Sequence, residues 1–235
     1  MWDKPELLDR VANALFVLAF ALAAAGALLF ITRLPAFALH EVRIDNPLAH
    51  VTREQIEDVV RRDLAGNFFT LDLVRLRAGF ERLPWVRRAD VRRAWPDRVD
   101  VALEEQVPLA RWGPPGDGAL VNVEGEVFAA TLDGALPVFV GPDAASAKEI
   151  AIQYDYFRRS LAAVNEVPAE VNVSSRRAWQ LKLASGTTLE LGRDDIEARL
   201  DRFVTVYARS VGHLPRRPDY VDLRYPNGFA ARMPG

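Results

Sequence analysis

Residues 11–32, near the amino end of the chain, form a segment in which no side chain is charged and almost all are apolar. As an α-helix they would extend about 33 Å, close to the ~30 Å hydrocarbon thickness of a bilayer. A cleaved signal peptide has a shorter apolar region, and here Arg33 and Pro35 separate the segment from the small-x-small triplet at residues 36–38. A core helix of a soluble fold is also disfavoured, because the segment has no polar face. The segment therefore predicts a transmembrane helix.

The orientation of this helix follows from the residues on either side of it. The bias of basic residues is small, with Lys4 and Arg10 before the helix and Arg33 after it. Because a long carboxyl-terminal part is translocated largely regardless of its charge, we expect residues 1–10 to be a cytoplasmic tail. Residues 33–38 would connect the helix to an exported body.

The exported body has about 200 residues, which suits one large or two small domains. The whole chain of 235 residues contains no cysteine. Neither a disulfide framework nor a thiolate metal site is therefore possible, and the body must be stabilised by burying an apolar core.

The first part of the body predicts a three-stranded sheet covered on one face by two helices. Thr52 and Gln55 have the spacing of a capping box at the start of a helix, which Gly66 is placed to end. Asp72 can cap a second helix. Alternating apolar residues predict strands at residues 39–46, 86–94 and 99–105. The predicted order is strand, helix, helix, strand, strand.

The second part of the body predicts a larger, mostly antiparallel sheet with helices against it, so that the fold class is α+β. A helix over residues 144–164 is indicated by an apolar stripe at Ile150, Tyr154, Phe157, Leu161 and Val164. Asp194 can cap another helix, which Gly212 would end. Strands are predicted at residues 119–123, 126–130, 138–140, 171–173, 179–183, 188–191, 220–225 and 229–232.

Catalytic chemistry has little support in this sequence. No nucleophile elbow, P-loop or dinucleotide fingerprint occurs, and no histidine has a partner at ligand spacing among His40, His50 and His213. The acidic pair at residues 104–105 lies in a predicted strand, where neighbours point to opposite faces. The pair at 194–195 lies in a first helical turn, where negative charge favours the helix dipole. We expect no enzyme activity, no metal site and no cofactor.

Arginines are concentrated in residues 75–98, where eight of them stand against three carboxylates. Four lie in one predicted strand and form a possible basic patch: Arg87, Arg88, Arg92 and Arg93. Outside the cytoplasm the candidate ligands are anionic headgroups or acidic protein segments rather than nucleic acid. The alternative is a solvated face with local ion pairs. Whether the arginines share one face separates the two interpretations.

The end of the chain is the better candidate for a binding site. A terminal strand at a sheet edge leaves backbone N–H and C=O groups that can template another strand. Residues 220–232 contain no protective lysine, and Pro226 lies in the predicted turn. Tyr225 and Phe229 would be exposed there for a partner, unless they cover the core of their own domain.

Several motifs along the chain resemble those of one known family. They are LPWV at 83–86, RRAWPD at 92–97, EQVPLARW at 105–112, RAWQL at 177–181 and YVDLRY at 220–225. Together with the predicted strand order, they resemble the FtsQ/DivIB family of bacterial cell-division proteins. The resemblance implies a POTRA domain at residues 39–106 and an FtsQ β domain at residues 107–235.

The resemblance also implies a function. It would make the chain an essential single-pass scaffold of the division machinery at the septum, with its carboxyl-terminal domain in the periplasm. Such a scaffold links early and late division proteins and recruits FtsB and FtsL by strand addition at its carboxyl-terminal edge. Further implied partners are FtsK, FtsW, FtsI, FtsN and FtsA. The implied contact residues are Arg177, Arg224, Tyr225 and Phe229.

Two other functions are compatible with an anchored α+β protein. POTRA domains also occur in outer-membrane barrel assembly and in secretion, so a component of such a system is the alternative. That function predicts repeated POTRA units or a membrane barrel, and the sequence has neither a second copy nor a series of alternating ten-residue strands. The other, an anchored envelope enzyme, lacks a catalytic constellation.

Overall fold

A computed structural model describes residues 5–32, 37–114, 118–210, 217–226 and 228–233. The chain divides into two compact units, Met1–Glu105 and Gln106–Gly235. Each unit has its own buried apolar core.

The first helix, α1, spans Pro5–Thr32 and contains the apolar segment. Within it, Asp9–Ala27 has a mean hydropathy of 1.7, is long enough to cross a membrane, and is not buried by any other part of the protein. Phe16 and Phe20 are about three-quarters exposed. A core helix would bury such side chains, so the exposure favours an apolar phase outside the protein as their surroundings.

The rest of the first unit has the predicted β-α-α-β-β order. Its elements are β1 (Glu41–Ile44), α2 (Arg53–Asp63), α3 (Leu73–Glu81), β2 (Val86–Ala94) and β3 (Arg98–Glu105). The strands are ordered β1-β3-β2, with β1 parallel and β2 antiparallel to the central β3. Val99, Val101 and Leu103 of β3 face the helices and are buried.

Local sequence signals fix the starts of helices α2 and α3. The Gln55 N–H donates to Thr52 Oγ1 and the Thr52 N–H donates to Gln55 Oε1, which confirms the capping box. Asp72 Oδ1 accepts from the Arg75 N–H at the start of α3. Helix α2 ends at Asp63, before Gly66, whose φ of 106° lies in the left-handed region that glycine favours.

Glu104 and Glu105 both have structural roles at the end of β3. The Glu105 carboxylate accepts hydrogen bonds from the backbone N–H groups of Ala49, His50 and Val51, each 2.8 Å long. Partial burial raises the pKa of Glu105, but the three hydrogen bonds together lower it by more, so the pKa lies below its ordinary value. Glu104 pairs with Arg87 at 2.7 Å. Glu105 therefore stabilises the loop before α2, and Glu104 stabilises the pairing of β3 with β2.

The second unit is built on a nine-stranded sheet. The strands are β4 (Pro108–Trp112), β5 (Ala119–Asn122), β6 (Val127–Ala129), β7 (Val138–Val140), β8 (Pro168–Val173), β9 (Trp179–Leu183), β10 (Thr188–Gly192), β11 (Tyr220–Asp222) and β12 (Ala230–Arg232). They are ordered β12-β11-β10-β9-β8-β7-β4-β5-β6. Parallel pairing occurs for β4 with β7, β7 with β8, and β10 with β11, and the other five pairs are antiparallel. The predicted mostly antiparallel sheet is therefore present.

Two helices, α4 (Ser146–Ala162) and α5 (Ile196–Ser210), pack on one face of this sheet. The first four residues of the predicted apolar stripe are buried on α4, and the fifth, Val164, lies two residues after the end of the helix and is half-buried. The helices are joined by Asp201 of α5, which accepts from the Tyr156 and Ser160 hydroxyls of α4 at 2.7 and 2.9 Å.

The second unit differs from the sequence prediction at the start of α5 and at β4, and several other elements begin or end up to three residues from their predicted bounds. Asp194 was predicted to cap α5, but the helix begins at Ile196, so the residue directly before it is Asp195, which has a φ of 51°. β4 was not predicted as a strand, because only Ala110 among its five residues is fully buried and no alternation is visible. The predicted helix end at Gly212 lies outside the described residues.

Candidate protein-binding edge

The carboxyl-terminal strand β12 is one edge of the nine-stranded sheet. Its three residues pair with β11 in antiparallel register, from Tyr220 opposite Arg232 to Asp222 opposite Ala230. Within the described ranges, no other strand pairs with the outer side of β12, and all three of its side chains are exposed. The outer side of β12 can therefore accept a further strand.

Tyr225 follows β11 and points away from the core. Its side chain is 55% exposed, although its backbone is held. Arg202 of α5 donates to the carbonyl oxygens of Pro226 at 2.9 Å and Tyr225 at 3.4 Å. The connection between β11 and β12 is thereby fastened to a helix, while the aromatic ring stays accessible.

Arg224 is paired within its own strand region. Its Nε and one of its terminal nitrogens donate to the two carboxylate oxygens of Asp222 at 2.9 and 2.6 Å. The hydrogen bond from Arg224 lowers the pKa of Asp222 against the opposing effect of burial, and Asp222 in turn raises the pKa of Arg224. The stem of Arg224 lies against Gly192 of β10, where an added Cβ would stand 3.1 Å from Arg224 Cγ. Arg224 therefore contacts both β11 and β10 at this end of the sheet, and it also faces solvent.

Phe229 lies on the helix side of the sheet. It is half-buried and its ring stands 5.7 Å from that of Phe203, which is part of the core. Of the two aromatic candidates, Phe229 thus contributes to the domain's own core and Tyr225 does not.

Arg177 lies in the turn between β8 and β9, where its φ is 63°. Its guanidinium pairs with Glu149 of α4 at 2.5 Å. Trp179 of β9 is opposite Gly192 of β10, and Glu190 of β10 is opposite Asp222 of β11. The turn that contains Arg177 is therefore at the same end of the sheet as Arg224 and Tyr225, and β9 is two strands, or about 10 Å, from β11.

Further residues of this edge were not found from the sequence. Arg232 of β12 lies over the ring of Tyr220, 5.2 Å from its centroid. Arg202 and Gly192 support the β11 end from other elements. The Asp222 and Arg224 pair had a sequence signal, since residues two apart in a strand share a face. Arg202 had none, because it lies 23 residues before the nearer carbonyl group that it binds.

The predicted basic patch of the first unit does not form one continuous face. Arg93 reaches the Leu71 carbonyl oxygen on the helix side at 2.7 Å. Arg92 pairs instead with Asp45 and Asp100, at 3.2 and 3.5 Å. The fourth member, Arg88, is exposed on the strand opposite Glu104. Local ion pairs therefore take up much of the charge of this strand.

The two histidines in the described part of the chain each contact a neighbouring side chain. His40 stands 3.2 Å from Asp97, and His50 stacks on Trp85 with the ring centroids 3.9 Å apart. His213 lies outside the described residues. Across the described parts of the chain, no group of three or more His, Asp or Glu residues is arranged to hold a metal ion.

Two family models match most of the chain. The POTRA domain, FtsQ-type, matches residues 37–106, and the cell division protein FtsQ/DivIB, C-terminal, matches residues 110–224. The chain is 46% identical to the cell division protein FtsQ of Nitrosospira multiformis, over 99% of both chains.

The chain belongs to the FtsQ/DivIB family. It is also 41% identical to FtsQ of Burkholderia pseudomallei, over all of this chain and 95% of that one. The FtsQ of Neisseria gonorrhoeae is 34% identical over 99% of this chain. FtsQ/DivIB proteins are division scaffolds rather than an enzyme class, so this is a division protein with a helix suited to membrane anchoring.

Proposed function

We propose that this chain recruits an FtsB and FtsL complex by adding a strand of FtsB to the outer side of β12. The observation that carries the proposal is a terminal strand paired on one side, with three exposed side chains, two of which are alanines. Small side chains leave the backbone of an edge strand accessible, and main-chain hydrogen bonds supply the affinity of strand addition.

The side chains near β12 would add contact area to this backbone pairing. Tyr225 offers an exposed ring with a polar tip, which suits a partner with an amphipathic strand. Arg224 and Arg177 each form an ion pair with a carboxylate of this chain, and both arginine side chains are more than half exposed. They remain available for acidic partner groups at the rim. Phe229 supports the strand from beneath by packing on Phe203.

The proposed topology puts this edge outside the cytoplasm. Residues 1–10 would be the cytoplasmic tail, and the units at 39–106 and 107–235 would lie in the periplasm at the division septum. Contacts with FtsK, FtsW, FtsI, FtsN or FtsA belong to the same proposal. Protease added outside spheroplasts should remove the region after residue 40, and its protection would contradict this topology.

The test of strand addition uses two matched truncations of exposed side chains. Tyr225→Ala should weaken co-purification of FtsB with the full chain, whereas Ile152→Ala, on an exposed part of α4, should not. Both variants should unfold at the parent temperature, because neither side chain contributes to the core. Equal FtsB recovery from the two variants would contradict the proposal. Crosslinking from position 225 to FtsB would identify the partner directly.

The family matches favour this function over the barrel-assembly alternative. Both matched models carry the FtsQ name, and together they extend from the POTRA unit to the end of β11. Fluorescent fusions should accordingly collect at mid-cell, and a uniform envelope distribution would count against a septal role.

A further inference from the structure

Three large apolar side chains are exposed in the first unit outside α1, within the fully described residues 37–105. They are Phe69, Val74 and Trp95, which are 49%, 77% and 78% exposed. Scattered single apolar residues on a surface need no explanation, but a group at one place indicates a contact.

Hydrogen bonds place these side chains at one end of the unit. The Phe68 N–H donates to the Phe37 carbonyl oxygen at 2.9 Å, and the His40 N–H donates to that of Asp97 at 3.0 Å. The loop at 66–70 and the turn at 95–97 are thus both bound to the chain as it enters the unit. Val74 belongs to the first turn of α3, which starts from the same loop.

The aromatic residues in this region contact one another. The Phe69 ring lies 4.9 Å from that of Phe37 and 5.4 Å from that of Phe68. The Phe69 and Thr70 N–H groups donate to Asn67 Oδ1, each at 3.0 Å. The loop therefore holds its rings in a fixed arrangement while half of Phe69 stays uncovered.

The length of the connector keeps this end beside the membrane. Four residues separate Thr32, the last residue of α1, from Phe37. Five Cα–Cα steps reach at most about 18 Å, and the headgroup layer is itself about 5–7 Å deep on each side. The loop and turn that bind residues 37–40 therefore lie at the end of the unit nearest the membrane, within reach of the headgroup layer, whereas the other end of the eight-residue β3 is about 27 Å away.

A cluster of positive charge lies beside the start of this loop, at the end of α2. Arg62 and Arg75 flank the loop and converge with Arg82 on the buried carboxylate of Asp63, at 3.1, 3.3 and 3.0 Å. All three arginine side chains are more than half exposed. Three guanidiniums on one carboxylate leave an excess of two positive charges, which complements anionic headgroups.

We propose that this membrane-proximal end, residues 66–70 with Val74 and Trp95, docks into the headgroup layer of an anionic bilayer. Aromatic side chains favour that layer, and basic side chains at its surface bind acidic lipids. Docking would fix the height and tilt of the POTRA unit above its anchor. This role is separate from strand addition at β12.

The absence of cysteine from the chain allows single spin labels to test the docking. The full chain would be placed in nanodiscs containing phosphatidylglycerol, with a label at Phe69→Cys or Trp95→Cys. The control is Ala49→Cys, exposed at the opposite end of the unit beside the Glu105 carboxylate. Labels at 69 and 95 should be relaxed mainly by lipid-soluble oxygen, and the label at 49 mainly by a water-soluble nickel chelate.

Nanodiscs of phosphatidylcholine alone test the contribution of charge. The ratio of docked to undocked chains should fall about thirtyfold there, because two excess charges contribute about 1 kcal/mol each at an anionic surface. Labels at 69 and 95 that match the label at 49 in anionic discs would overturn the proposal. Shielding of residue 69 that appears only when a partner protein is added would overturn it too. FtsB capture is read separately, so either proposal can fail alone.

Discussion

The two outer strands of the nine-stranded sheet are held in different ways. At β6, Phe128 is buried and the preceding turn is fixed by Asn122, which accepts from the Glu124 and Glu126 N–H groups at 3.0 and 2.8 Å. Gly125 of that turn lies directly against the Lys148 backbone of α4. β12 has three exposed residues and is supported by the segment that precedes it, in which Phe229 packs on Phe203 and the Pro226 carbonyl oxygen accepts from Arg202.

The difference is consistent with the proposed addition of a strand at β12 and not at β6. β6 is stabilised by its own buried side chain and turn, so a new strand there would gain little from its side chains. β12 presents backbone with small side chains, and its neighbours hold the ring of Tyr225 outward. An edge suited to recruitment is thus one that is positioned by the residues around it while its own side chains remain uncommitted.

The largest expected effect is a loss of stability at the turn before β6. Gly125→Ala should reduce the free energy of unfolding by about 2–5 kcal/mol, since Gly125 has a φ of 81° and an added Cβ would clash with Lys148 Cα. Gly186→Ala is the control, with a φ of 96° and no atom within 4 Å of the added Cβ. It should lose only the conformational part, about 1–2 kcal/mol. Equal losses in denaturant unfolding would show that α4 does not hold the β6 turn.

An intermediate effect separates the two aromatic residues beside β12. Phe229→Ala should cost about 2 kcal/mol, because its half-buried ring packs on Phe203. Tyr225→Ala should change stability by less than about 0.5 kcal/mol, as expected for an exposed side chain. Thermal unfolding of both variants measures the difference. A larger loss from Tyr225→Ala would mean that its ring also covers the core.

The smallest expected effect is the pH dependence of the β11 end. The hydrogen bond from Arg224 lowers the pKa of Asp222 below its ordinary value of 3.8, so the unfolded chain takes up this proton at a higher pH than the folded one. The stabilisation is present above pH ~4 and is lost as pH falls through the folded-state pKa, by about 1 kcal/mol for a partly exposed pair.

Amide exchange in β11 and β12 between pH 5 and pH 3, corrected for the intrinsic rates, measures this loss. Asp222→Asn should remove the acid-dependent part of the exchange that belongs to this pair. Identical acid sensitivity in the variant and the parent would show that other carboxyl groups control the stability of this edge.

Local signals in the sequence were sufficient for much of the fold. The capping box at Thr52 and Gln55 and the cap at Asp72 place helices because the hydrogen bonds join residues three apart. The apolar stripe of α4 was readable for the same reason, since helical periodicity is a property of neighbouring residues. Membership of the FtsQ/DivIB family followed from motifs distributed over nearly the whole chain.

The candidate site was only partly predictable. The sequence indicated terminal strands and named Tyr225, whose ring is exposed, but it did not separate Tyr225 from Phe229. It gave no sign that Arg202 would hold the connection or that β4 would pair in parallel with β7. These contacts join residues that are 23 or more positions apart.

The sequence by itself determined an apolar segment suited to membrane anchoring, a body without cysteine and the order of most helices and strands, because these depend on composition and on residues close along the chain. Only the tertiary structure decided which strand lies at the edge of the sheet, which arginines are already paired, and that the loop of Phe69 and the turn of Trp95 lie at the same end of the first unit. Strand order and ion pairing are set by packing between distant segments, and no local pattern encodes that packing.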